Sequence, residues 1–172
     1  MDNPQETYVS YIAGLIDGEG SFYLYKVKTR SWESYRACIQ FTNTDPELVQ
    51  AFVDFCKQNL IGYHIYTDKR IGKAKRCYQV QVTTMDSRIR FIELIKPYLR
   101  GIKRYESELV YRFIQNRIRK NKEHVQAKDP KTGRIMASTK SNHDAEDIAL
   151  YDEYKTHKGS STTTRETPIN FG

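Results

Sequence analysis

Only three cysteines occur in 172 residues, Cys38, Cys56 and Cys77. They lack CxxC spacing, which excludes a disulfide framework and a zinc knuckle. Free thiols of this kind fit a reducing, intracellular compartment and not a secreted one. No run is long and apolar enough to cross a bilayer, so no membrane partner is expected. The stretch MDNPQETY at the start is polar and acidic, unlike a secretory signal. His64, His124, His143 and His157 are scattered, with no HExxH or paired spacing; each reads as a surface or structural histidine. A glycine-rich phosphate loop of the P-loop or dinucleotide type is also missing.

What the chain has in excess is positive charge and tyrosine. Lys plus Arg number 28 against 21 Asp plus Glu, a formal charge of +7. That balance suits a polyanionic partner such as nucleic acid, although a generic basic soluble protein would carry it too. Thirteen tyrosines bring apolar area together with a hydroxyl, a combination that serves half-exposed sheets and interfaces.

The pattern along the chain is an α+β layout in the order α-β-β-α-β-β-α-α. Thr7 is a candidate cap for a first helix over 8–17, ended by Gly18 and Gly20. Ser21 to Arg30 and Tyr35 to Asn43 read as a hairpin joined by a turn at Ser31 to Ser34. Asp45-Pro46-Glu47 opens a helix to about Asn59: a cap, a proline at the first position and an acid in the first turn. A second hairpin, Tyr63 to Arg70 and Arg76 to Thr84, precedes a helix capped by Asp86 or Ser87 and running to Ile95. A long helix is expected from Ile102 to about Lys122, and another from Asp144 to Tyr154. Residues 120–142 are basic and irregular, and the chain from Lys158 has little to bury and reads as disordered.

The stretch YIAGLIDGEGSF, Tyr11 to Phe22, stands out. Ile12, Leu15 and Ile16 supply an apolar face, while Ala13, Gly14 and Gly18 are small enough to let a second backbone approach. Asp17 and Glu19 then sit at a helix C-terminus, where carboxylates are disfavoured. A divalent cation would answer that, because Mg²⁺ takes oxygen ligands and uses few carboxylates. If two chains paired through this helix, two acidic tips would face one partner, an arrangement suited to phosphodiester hydrolysis. On spacing alone, a glycine-ended helix with two solvated acids is the simpler reading.

IAGLIDGEG, Ile12 to Gly20, closely resembles the LAGLIDADG signature of homing endonucleases and related maturases. Ile replaces the first Leu, Gly18 the second Ala and Glu19 the final Asp. The element order from Thr7 to about Arg119 resembles that family's αββαββα core with a saddle-shaped antiparallel sheet, here followed by extra C-terminal helices. One such domain is expected over 1–157, with 158–172 as the disordered tail. The resemblance implies that Glu19 binds metal, with the Gly18 carbonyl as a second ligand. It implies that Asn43, shorter than the family's usual Gln, orders water. Lys103 resembles the family's lysine before the long helix, with Arg104 as its rival because Gly101 is an extra residue. Asp17 takes a structural role.

A single signature resembles the homodimeric members, with Ala13, Gly14, Asp17 and Gly18 at the twofold contact. The resemblance further implies Mg²⁺ as cofactor, with Mn²⁺ as a substitute and Ca²⁺ binding without efficient cleavage. It implies a long, roughly palindromic double-stranded DNA target cut to short 3′ overhangs, with the chain's own intron RNA as a further partner. An RNA-binding maturase and a silent DNA-binding protein are the alternatives on the same fold.

The strands then supply a DNA-reading face, because a two-stranded ribbon fits the major groove. Alternation assigns Tyr23, Tyr25, Val27 and Thr29 to it from the first strand, and Arg36, Cys38, Gln40 and Thr42 from the second. His64, Tyr66, Asp68 and Arg70 follow from the third, and Cys77, Gln79 and Gln81 from the fourth. An ordinary solvated sheet would show the same pattern. Lys26, Lys28 and Arg30 fall on the opposite face, which calls for a bulge or a change of register after Leu24. Lys69, Arg70, Lys73, Lys75 and Arg76 mark a phosphate-contacting turn with strong salt dependence. Lys128, Lys131, Arg134 and Lys140 are further phosphate candidates.

Overall fold

A computed structural model describes residues 4–28, 33–68, 76–125 and 145–163 of the chain. Nine elements follow one another: α1 (Pro4–Glu19), β1 (Gly20–Lys28), β2 (Glu33–Asn43), α2 (Pro46–Gln58), β3 (Tyr63–Asp68), β4 (Cys77–Val82), α3 (Met85–Ile95), α4 (Gly101–Val125) and α5 (Ala145–Thr163). The class is α+β, with one four-stranded antiparallel sheet in the order β1-β2-β4-β3. The two hairpins join through a short β2–β4 pairing, Gln40↔Gln81 to Asn43↔Tyr78.

Helices cover one face of this sheet. Phe22, Leu24, Tyr35, Ala37, Ile39, Phe41, Val80 and Val82 point into a single core with Ile12 and Ile16 of α1. Phe41, Phe52, Phe55 and Phe91 form its aromatic centre, with ring centroids 5.1–6.0 Å apart along the chain of contacts, within the range of favourable aromatic packing. Side chains of opposite parity in the strands form the other, open face.

Several boundaries differ from the sequence expectation. α1 begins at Pro4, so Thr7 lies within it and not at its N-cap. It also runs through Gly18 to Glu19, and β1 starts at once at Gly20. Gly20 is where glycine is required: an added Cβ would lie 2.7 Å from the Ile16 carbonyl oxygen. The start of α2 follows its signal, the Asp45 carboxylate accepting from Glu47 N–H at 2.8 Å. α3 is capped by Thr84, whose hydroxyl accepts from Ser87 N–H, and not by Asp86 or Ser87. α5 continues past Tyr154 to Thr163, taking in the start of the expected tail.

The β1–β2 register is continuous from Gly20↔Phe41 to Lys28↔Glu33. Neither a bulge nor a change of register follows Leu24. Glu33 instead takes Lys26 at 2.6 Å and Lys28 at 3.5 Å, one carboxylate shared by two cations on the helix side of the sheet. Thr29 and Arg30 lie outside the described residues, as do Lys69 to Lys75, Lys128, Lys131, Arg134, Lys140 and the side chain of Asp68.

α5 packs on α4 and on the β1–β2 end of the sheet. Asp147, fully buried, holds it there: it pairs with Arg117 at 2.8 Å and accepts from Asn116 Nδ2 at 2.9 Å. Asp147 is also an acid in the first turn of α5, but its partner on α4 is its larger role.

Candidate active site and nucleic-acid interface

Glu19 and Gly18 are exposed at the C-terminal turn of α1. Four backbone carbonyls at such an end lack helical partners, and a carboxylate there faces the negative pole. Asn43 lies at the same end of the sheet, two residues beyond Phe41, the partner of Gly20. Its Oδ1 accepts from Asp45 N–H at 2.9 Å, an Asx turn that fixes the carboxamide and leaves Nδ2 as the donor.

Lys103, in the first turn of α4, reaches this point from the other side. Its Nζ donates to the Gly20 carbonyl at 2.6 Å, one residue from Glu19. Arg104 lines a separate surface with Glu93, Lys96 and Tyr111. The extra Gly101 adopts φ +47°, a left-handed conformation suited to glycine, and the turn it makes aims Lys103 at the α1 tip. Asp17 holds that turn: both carboxylate oxygens lie 3.2–3.3 Å from Arg100 N–H. Lys103 thus stands beside Glu19, Asn43 lies at the same end of the sheet, and Asp17 braces the entry to α4.

Ala13 does not join an outward face with Gly14 and Gly18. It is fully buried in the chain's own core. The outward stripe is Tyr11, Gly14 and Gly18, with Tyr11 45% exposed and open space beyond both glycines. Helical geometry explains the difference, since position 13 lies on the same side as Val9 and Ile16.

On the open face of the sheet, Tyr23, Tyr25, Arg36, Gln40, Thr42, His64, Tyr66, Cys77, Gln79 and Gln81 share one side by parity and register. Tyr23 Oη and Gln79 Nε2 both donate to Gln40 Oε1, at 3.0 and 2.6 Å. This links three strands through the Gln40 carboxamide oxygen. His64 and Tyr66 stand edge to face at 4.4 Å on β3.

Cys38 is the exception: it lies on this side but is fully buried, so it cannot meet a ligand. Gln81 Nε2 donates to its sulfur at 2.9 Å, and burial raises the thiol above its ordinary range. Burial, then the neighbouring Cys38, likewise raises the Tyr23 phenol.

Sequence reasoning missed Arg88. It sits on α3, yet its guanidinium borders a cavity of about 570 Å³ where β2 and β4 diverge, beside Tyr25, Arg36, Tyr66 and Gln81. Its Nε donates to the Val82 carbonyl at 3.0 Å, and desolvation lowers its pKa. No strand-parity rule could find it, because it enters the face from a helix.

The profile of the family described as the LAGLIDADG-like domain matches residues 6–96, just over half of the chain. This chain belongs to the LAGLIDADG-like family. None of the curated proteins matches it. Among solved structures, the homing endonuclease I-CvuI, in complex with a DNA target in the presence of Mg, is 16% identical. The alignment covers 96% of this chain and 87% of that one, at a TM-score of 0.54. The homing endonuclease I-TnaI is also 16% identical over 96% of this chain and 100% of its own, at 0.53. The meganuclease I-SmaMI, bound to uncleavable DNA, is 18% identical over 92% of this chain but only 44% of its own, at 0.54. At these identities the likeness is one of fold. The LAGLIDADG-like match spans α1 through α3, so it includes Glu19, Asn43 and the whole sheet, while Lys103 and α5 lie beyond it.

Proposed function

We propose that this chain is a site-specific double-strand DNA endonuclease that acts as a homodimer with a divalent cation, inside a reducing compartment. The observation that carries the reading is the Lys103 ammonium resting on the Gly20 carbonyl beside Glu19, at the end of a polar, tyrosine- and glutamine-rich sheet in a LAGLIDADG-like chain.

The α1 tip fits a cation chemically. An exposed carboxylate and free carbonyls at a helix C-terminus form a hard oxygen donor set in a field that disfavours the bare acid. Glu19 and the Gly18 carbonyl would hold Mg²⁺, with Mn²⁺ as a substitute and Ca²⁺ supporting binding but not efficient cleavage. The ion would supply Lewis-acid activation of water and neutralisation at the scissile phosphate. Lys103 places a fixed positive charge beside that position, suited to a developing phosphorane charge. Asn43, its oxygen occupied by Asp45 N–H, presents Nδ2 to orient water or a phosphate oxygen.

One tip provides one acid, whereas two-metal hydrolysis of a phosphodiester needs two such positions. Two tips are therefore needed, and the outward stripe of Tyr11, Gly14 and Gly18 is where a second α1 would cross. A twofold dimer reads a roughly palindromic target and would leave short 3′ overhangs. A chain of this fold covers 44% of I-SmaMI, which leaves room there for a second such unit in one chain.

The test is cleavage of a randomised plasmid library by the purified chain in Mg²⁺, with the cut ends sequenced. Recovery of a defined site cut on both strands supports the reading. Binding without cutting would indicate a silent DNA-binding protein, and selective retention of structured RNA a maturase.

A further inference from the structure

Lys103 is steered by a carboxylate that the C-terminal helix supplies with a second cation. Its side chain is 18% exposed and its Nζ rests on the Gly20 carbonyl at 2.6 Å. One turn along α4, Glu106 is 1% exposed, and its Oε2 lies 3.7 Å from Lys103 Nζ. Its Oε1 lies 2.5 Å from Nζ of Lys158 on α5. Neither oxygen accepts a hydrogen bond of good geometry among the described residues. A buried carboxylate in that state depends on the two ammonium charges for its stability. Tyr154 closes the cluster; its phenol is pushed up to about 12, first by burial and then by Glu106.

Two cations sharing one carboxylate behave differently from one. With Lys158 at Oε1, the attraction on Lys103 is partly cancelled. Lys103 stays at 3.7 Å from Glu106, longer than a direct hydrogen bond, and keeps its donor on the Gly20 carbonyl beside Glu19. Without Lys158, the buried carboxylate would have Lys103 as its one counter-ion among the described residues and would draw it off. We propose that Glu106 and Lys158 are positioning residues that hold Lys103 at the α1 tip, so α5 completes the active site from outside the matched domain. This rests on the endonuclease reading for its consequence, but not for its geometry.

α5 stays anchored when Lys158 changes, because Asp147 and Tyr151 dock it elsewhere, on Arg117 and on Tyr35. Lys158→Gln should leave target affinity in Ca²⁺ unchanged and lower the thermal midpoint, because buried Glu106 loses one of its two counter-ions. The single-turnover cleavage rate in Mg²⁺ should fall roughly 10- to 100-fold, the scale of a misplaced catalytic group. Lys158→Arg should restore most of it. In parallel, NMR coupling across the Lys103 Nζ to Gly20 carbonyl hydrogen bond, measured without DNA, should vanish in Lys158→Gln and persist in Lys158→Arg. If the parent chain cuts no DNA, the endonuclease reading fails and the coupling alone decides the positioning claim. Parental cleavage in Lys158→Gln, or a coupling that survives that substitution, overturns it.

Discussion

At the residue scale, the two acids of the signature are placed differently. Asp17 meets the Arg100 amide and shapes the entry to α4. Glu19 stays exposed next to the carbonyl that Lys103 grips. The cysteines also diverge. Burial pushes the Cys56 thiol from an ordinary value near 9 up to about 12. A raised folded-state pKa gives stability that is fully present below the unfolded value and is lost as pH climbs toward the folded one. Urea midpoints should therefore fall between pH 9 and 12, Cys56 contributing at most about 1.4 kcal/mol per pH unit. Cys56→Ala should show a smaller alkaline loss than the parent, whatever its stability at neutral pH. An identical slope would mean that burial of this thiol is not felt.

At the element scale, periodicity and caps made most of the architecture legible. Both hairpins, their facing parity and the proline-led α2 lie where alternation and Asp45 place them. What the sequence hid was long-range. Nothing local says that Glu33 will pair with both Lys26 and Lys28, so three cations in alternation looked like a broken register. Ala13 looked interchangeable with the glycines beside it, but only the packed sheet decides which small residue turns inward. Cys38 followed parity correctly and was still covered, because Tyr23 and Gln81 close over it. α5 was under-read for the same reason: its anchor, Asp147 against Arg117, spans two elements. Asp147→Ala leaves Arg117 with 17% exposure and no carboxylate at 2.8 Å. It should cost about 3 kcal/mol in chemical denaturation, the usual penalty for breaking a buried pair. A loss below about 1 kcal/mol, as for a surface pair, would show that α5 is not held this way.

At the scale of the whole molecule, the proposed dimer would make one chain half of a site. Gly14 provides a clean probe of assembly, because an added Cβ there meets nothing within 4 Å of its own chain. Gly14→Leu should leave the monomer fold at least as stable, by roughly 0.5 kcal/mol from helix propensity. Sedimentation should nonetheless show the dimer weakened, and target cleavage should fall with it. A fully dimeric Gly14→Leu protein would move the twofold contact away from α1.

The central claim is that Glu19 carries the metal-dependent chemistry, and it is tested on the site recovered from the plasmid library. Glu19→Gln keeps the shape of the side chain and removes its charge. Target binding in Ca²⁺ should stay within a few-fold of the parent where phosphate contacts dominate affinity. Double-strand cleavage in Mg²⁺ should fall by at least about 100-fold, as expected when a group acting only in the transition state is lost. Cleavage by Glu19→Gln at the parental rate would contradict the account.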